Sequence, residues 1–269
     1  MKQYLDIITD VLIHGEHRPN RTGIDTIELF NRQFSFDMST GRFPLLTTKK
    51  LHLKSIIYEL LFFVNGRSNN KWLNEHGVTI WDEWAKPGGD LGPIYGVQWR
   101  SFTGVDALGH IIAVDQLNEL IDKLRNNPYD RRQIVSAWNP CQIPDMALPP
   151  CHWSFQTYVH NDGRLDLTWN QRSVDCGLGL PYNIASYAIL LLMLCEVSNL
   201  KPGTLYGNLG CTHIYENHIE QLKMQVGRDC RELPKMNVQH RDNIEDFVYE
   251  DFELIDYNPH PHIKMDVAV

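Results

Sequence analysis

No Cys-x-x-Cys pair and no tight grouping of His with Cys occurs among the 6 cysteines of this chain. That excludes the common structural zinc modules and offers no disulfide framework. Cys141, Cys151, Cys176, Cys195, Cys211 and Cys230 therefore read as reduced thiols, the default for each being a small buried hydrophobe. Positive charge is also short: 25 Lys and Arg stand against 33 Asp and Glu, for a formal net charge of -8. A field of that sign opposes docking on nucleic acid or an anionic membrane, so any bound phosphate must meet a local cluster of arginines. No apolar run reaches the length of a membrane span, and the best, Ile184 to Leu194, is interrupted by Ser186 and Tyr187. The N-terminal MKQYLDIITDVLIHG lacks the cleavage site and basic flank of a secretory signal, so a cytoplasmic location is expected. Neither a repeat nor a low-complexity linker divides the 269 residues, and one domain over 1–269 is the expectation.

What is present is ordinary globular material, 43% hydrophobic and 22% charged, without the charge bias of a disordered chain. Tyr4, Leu5, Ile8, Val11 and Leu12 recur at helical spacing over 2–14, and an extended segment follows at 27–37. Lys54 to Val64 reads as a buried helix in which Glu59 sits among Ile56, Ile57, Leu60, Leu61 and Phe62. Val114, Leu117, Leu120, Ile121 and Leu124 predict a helix over 113–124 that Pro128 closes off. Strands are predicted at 132–138, 152–160 and 164–171, the last two joined by Asn161-Asp162-Gly163. Pro181 opens a long helix to about residue 198, followed by a strand at 204–209 and a helix over 213–226. Helices and antiparallel strands alternate irregularly, which predicts an α+β fold.

Two prolines stand directly before Cys151 in Leu148-Pro149-Pro150-Cys151-His152. They fix the backbone and remove two amide donors, presenting either a nucleophile or a purely structural turn. A reactive thiol needs positive charge nearby. Arg131 and Arg132, Arg172 and Arg21 are available for that, or for binding phosphate, or simply for surface ion pairs. Glu59 in its apolar helix is either a proton-transfer group or half of a buried ion pair.

Several spaced segments together resemble the thymidylate synthase family. They are Leu148 to His152, Gln171-Arg172-Ser173-Val174-Asp175, Leu178 to Tyr187 and Thr212-His213-Ile214-Tyr215. Asn20-Arg21-Thr22-Gly23, Thr47-Thr48-Lys49-Lys50, Trp81-Asp82-Glu83-Trp84, Asp90 to Tyr95 and Pro259 to Val269 extend the likeness over nearly the whole chain. The resemblance implies a mixed, mostly antiparallel sheet packed by helices and lying at the interface of a homodimer. It implies that Cys151 adds to C6 of dUMP, with 5,10-methylenetetrahydrofolate as the carbon and hydride donor and no metal. By the same resemblance Arg21, Arg172 and Ser173 hold the 5′-phosphate, joined by Arg131 and Arg132 from the second subunit. Asn183 reads the pyrimidine, while His213 and Tyr215 bind the 3′-hydroxyl. Glu59 is the general acid and base, with Tyr95 and His152 completing its network. Trp81, Asp175, Tyr182 and Lys49 face the folate, and the tail Val267-Ala268-Val269 closes over it.

The sequence also departs from the family pattern. Asn170 stands where synthases have Tyr, Thr157 where they usually have Phe, and Cys211 where an Asp is common. An Asn at 170 resembles the hydroxymethylase branch, so two products are open: dTMP by reduction, or 5-hydroxymethyl-dUMP by attack of water. A silent relative that binds RNA or a protein is a third reading, disfavoured by the acidic charge and the complete set of reactive residues.

Overall fold

Apolar periodicity at the start of the chain becomes α1 (Lys2–His14), with Tyr4, Ile7, Ile8 and Val11 buried on one face. The computed structural model describes residues 1–267; Ala268 and Val269, the former expected at the folate, lie outside the described residues. After α1 come β1 (Glu16–Arg18), β2 (Thr26–Asp37), α2 (Leu53–Val64), α3 (Lys71–Glu75) and α4 (Tyr95–Arg100). The middle of the chain holds β3 (Phe102–Val105), β4 (Ile111–Val114), α5 (Gln116–Asn126), β5 (Ile134–Ser136) and β6 (His152–Val159). Next come β7 (Arg164–Asp175), α6 (Gly179–Ser198), β8 (Lys201–Tyr215), α7 (Ile219–Val226), β9 (Lys235–Val238) and β10 (Phe252–Ile255).

The fold is α+β, as expected. Its main sheet runs β1-β2-β8-β7-β6-β5, antiparallel throughout except where β7 and β8 run parallel. A parallel pair needs a crossover, and α6 supplies it. Leu165, Leu167 and Trp169 of β7 and Leu205 and Leu209 of β8 alternate along their strands and are buried on the α6 side. Trp169 stacks on Tyr187 of α6 at 5.3 Å and 6°. Gly207 makes room for that indole, since a Cβ there would lie 2.5 Å from it. Buried apolar side chains from Met1 to Met265 belong to one cluster.

Several boundaries differ from the sequence reading for identifiable reasons. Residues 113 and 114 finish a hairpin strand, and Asp115 caps α5 by accepting the Asn118 amide at 3.0 Å. The helix expected from 213 starts only at Ile219, because His213 and Tyr215 pair with Glu28 and Thr26 across β2. Pro181 is the third residue of α6 rather than its start, a position whose N–H has no partner within the helix. That extension also corrects the reading of apolar length. Gly179–Ser198 has 20 residues and a mean hydropathy of 1.6, enough to cross a membrane by length and composition, but 78% of its most apolar window is buried inside the protein.

Candidate active site

Cys151 immediately precedes β6, and the two prolines before it serve a purpose their sequence alone left undecided. Their carbonyls accept from Arg172 on β7, Nε to Pro150 at 2.9 Å and Nη2 to Pro149 at 3.0 Å. The Arg172 amide also donates to the Cys151 carbonyl at 2.8 Å. Trp138 lies 5.5 Å below the guanidinium. The charge is thus clamped beside the half-buried thiol. Burial pushes the Cys151 pKa up, while Arg172 and then Arg21 pull it down and Asp175 opposes them. Because the net direction is upward, the resting thiol is protonated and must lose its proton as it reacts.

The Cys151 amide donates to the Tyr95 hydroxyl at 2.8 Å. Tyr95 begins α4, which can approach α2 closely because Gly96 has no Cβ to meet the Phe63 carbonyl 2.9 Å away. Phe63 lies one helical turn after Glu59 on α2, so the two share a face. Its ring meets Tyr95 at 4.9 Å, Trp81 at 6.1 Å and His152 at 6.4 Å. Into that aromatic wall Glu59 brings a half-buried carboxyl that accepts Trp81 Nε1–H at 2.8 Å. Burial pushes the Glu59 pKa up to about 7, against the opposing indole hydrogen bond. Asn70 and Asn74 fix the loop of Trp81 by donating to Asp82 at 2.8 and 2.7 Å.

His152 stacks on Tyr95 at 4.1 Å and 17° and bonds the Tyr187 hydroxyl through Nδ1 at 2.9 Å. Burial pushes its pKa down to about 3, so the imidazole is neutral. Asn183, the fifth residue of α6, has its Oδ1 held by Gln171 Nε2 at 3.0 Å. The same Gln171 group donates to the Ser173 carbonyl at 3.0 Å, and Trp169 Nε1–H holds Gln171 Oε1 at 3.1 Å. The Asn183 amide orientation is therefore set by a buried relay that leaves its Nδ2–H donors directed away from Gln171. Asp175 accepts the amides of Gly177 at 2.8 Å and Leu178 at 3.3 Å at the start of α6. Tyr182 lies within electrostatic reach of Glu59 and accepts the His52 amide. Tyr215 accepts from Asn20 and senses both Arg21 and Cys151, and its ring meets His213 edge-on at 5.2 Å.

Other expected residues lie apart from this group. Lys49 is only 2% exposed, with Nζ on the Gly177 carbonyl at 2.6 Å. Burial lowers its pKa to about 8 despite Asp175. A side chain sealed in this way does not extend toward a solvent-borne glutamate tail, because the whole stretch 43–49 is buried. Arg131 and Arg132 are exposed ahead of β5, and Arg132 forms a bidentate pair with Asp130 at 3.0 and 3.1 Å. Thr157 is buried on the core face and donates to Gln133 at 2.9 Å. Asn170 faces the opposite side of the sheet from Gln171; it donates to Ser154 at 3.0 Å and accepts from Asn208 at 2.9 Å. Val267 is exposed.

Sequence reasoning missed Gln171, Tyr187, Asn20 and Trp138 as positioning groups. Gln171 and Tyr187 lie inside the matched segments, where an amide or hydroxyl among apolar neighbours signalled a buried hydrogen bond. Nothing in the sequence marked Trp138. Glu59, Trp81, Tyr182 and Asp175 offer an acid, an indole, a phenol and a carboxylate suited to a reduced pterin, whereas Lys49 does not fit as a surface cation. A thiol clamped between guanidiniums, an amide of fixed orientation and a carboxyl poised near neutrality make a site for covalent addition to a polar, anionic ring compound. The Thymidylate synthase family model matches residues 2–269, so the chain belongs to the thymidylate synthase family.

Proposed function

We propose that the chain methylates dUMP to dTMP with 5,10-methylenetetrahydrofolate. The reading rests above all on Cys151 standing beside Arg172, which the Pro149 and Pro150 carbonyls grip, with Asn183 locked by Gln171. Arg21, Arg172 and Ser173 hold the 5′-phosphate by charge-assisted hydrogen bonds. Cys151 Sγ adds to C6, its proton passing to solvent water at the half-buried thiol as the S–C bond forms, and the electron pair moves onto C5 and O4. Asn183 Nδ2–H donates to O4 where that charge develops. Cytosine presents an amino donor at the same place and is rejected. The folate supplies the carbon and the hydride. Glu59 exchanges protons at neutral pH because its carboxyl titrates near 7. Tyr95 accepts the Cys151 amide on one oxygen lone pair, and its second lone pair holds a water that takes up the C5 proton that must leave.

A homodimer is part of the proposal. The face of the sheet away from α6 carries Tyr158, 62% exposed, and Tyr206, 41% exposed, a surface suited to burial against a second copy. Arg172 lies on that same face, which sets Arg131 and Arg132 of a second copy to join the phosphate site. The expected reducing, cytoplasmic compartment fits six unpaired cysteines. Asn170, the residue that motivates the hydroxymethylase reading, lies in a ladder with Ser154 and Asn208 on the outer face, which supports the synthase reading over it. Incubation of dUMP with methylenetetrahydrofolate, mass analysis of the nucleotide and dihydrofolate absorbance test the proposal. A methyl product with dihydrofolate supports it; a hydroxymethyl product without folate oxidation refutes it.

A further inference from the structure

We propose that Glu28 is a positioning residue that sets the tautomer of His213, and through it the recognition of the sugar hydroxyl. The inference rests on the nucleotide reading above, which assigns His213 and Tyr215 to the deoxyribose. Glu28 on β2 is the direct cross-strand partner of His213 on β8. Its Oε1 accepts from Thr26 Oγ1 at 2.6 Å, and its Oε2 accepts the Cys211 thiol at 3.2 Å with Arg18 Nε 3.9 Å away. His213 Nδ1 is 3.3 Å from the Cys211 carbonyl and 4.0 Å from the Cys211 sulfur.

These distances leave one consistent set of protons. With the thiol proton committed to Glu28, Nδ1 has no donor facing it and two acceptors, so Nδ1 carries the hydrogen. Nε2 is then a lone-pair acceptor. Tyr215 takes a hydrogen bond from Asn20 and keeps its own proton to give. A sugar hydroxyl between the two accepts from Tyr215 and donates to Nε2, and each atom is used once. Removal of Glu28 frees the Cys211 thiol to turn toward Nδ1. The proton moves to Nε2, and the sugar hydroxyl, facing two donors, loses the acceptor for its own hydrogen.

The rescue that follows separates this role from a structural one. Glu28→Ala should raise the dissociation constant for dUMP roughly tenfold, the cost of one mismatched hydrogen bond. It should leave that of 2′,3′-dideoxyuridine 5′-monophosphate within about twofold, since that ligand lacks the hydroxyl. Nitrogen NMR of the His213 ring should change from the Nδ1–H to the Nε2–H pattern. Adding Cys211→Ala removes the competing thiol and should restore both the tautomer and the discrimination, while Glu28→Gln should shift both in the same direction but less. Equal weakening for both ligands, an unchanged tautomer, or no rescue in the double variant overturns the proposal alone. Failure of the unaltered protein to bind either nucleotide overturns the nucleotide reading and this proposal together.

Discussion

Replacing Glu59 by Gln separates what this carboxyl costs the fold from what it does in the site. The change keeps an oxygen to accept Trp81 Nε1–H but cannot ionise. Burial raises the Glu59 pKa from 4.5 to about 7. Below pH 4.5 the carboxyl is protonated in both folded and unfolded chains and pH does not matter. Between 4.5 and 7 only the unfolded chain ionises, so native stability falls as pH rises, and above 7 the loss levels off. At about 1.4 kcal/mol per pH unit the full loss is about 3 kcal/mol. Urea denaturation of both proteins from pH 4 to pH 8 should give coincident stabilities at the acid end. At the alkaline end Glu59→Gln should be more stable by about 3 kcal/mol. Turnover should nevertheless drop, by about 100- to 10,000-fold, the range for loss of a general acid or base. A stability difference that does not change with pH would refute the assignment of a buried, neutral carboxyl.

Asn183→Asp should shift preference from dUMP toward dCMP, since a protonated carboxyl can match the cytosine edge; competition assays with both nucleotides check it, and an unchanged ratio removes Asn183 as the reader. His152→Gln should flatten the acid limb of the stability curve. The neutral imidazole contributes fully above its ordinary 6.5 and is lost as pH falls toward about 3, a range equivalent to about 5 kcal/mol. Equal acid limbs in urea titrations would contradict this. Mixing inactive Cys151→Ala with inactive Arg132→Ala chains and allowing exchange should recover up to about one quarter of native activity, because half the dimers then hold one complete site; no recovery speaks against shared sites. Asn170→Tyr should leave the ratio of methyl to hydroxymethyl product unchanged by mass analysis.

Fold class was legible because the apolar periods of α1, α2 and α6 are long and the β6–β7 turn is explicit. The end of β8 was not. His213, Ile214 and Tyr215 carry no helix breaker before them, and only the ladder to β2, remote in sequence, keeps them extended. In the site, identity and position behaved differently. Spacing marked Cys151, Arg172 and Glu59 as chemically unusual, but the grip of the Pro149 and Pro150 carbonyls on Arg172 is a tertiary fact. Lys49 illustrates the converse. The resemblance set Lys49 toward the folate, and only the burial of 43–49 reveals that its ammonium holds the Gly177 carbonyl.

The three departures from the family pattern are explained by the faces they occupy rather than by their closeness to Cys151 in sequence. A substitution changes the product only where it alters water beside the reacting carbon. Thr157 spends its hydroxyl on Gln133 within the core, and Asn170 spends its amide on Ser154 and Asn208 across the outer face. Both are polar groups already satisfied, so neither needs a water to complete it. Cys211 is different, because its thiol lies between Glu28 and His213, the residue proposed to bind the sugar hydroxyl. The proposed reading leaves water control to Trp81, whose indole is buried, bonded to Glu59 and held by a loop that Asn70 and Asn74 anchor. On the proposed reading, loosening that indole is the change expected to admit water beside the transferred carbon, and Asn74→Ala should then raise the hydroxymethyl fraction by mass analysis.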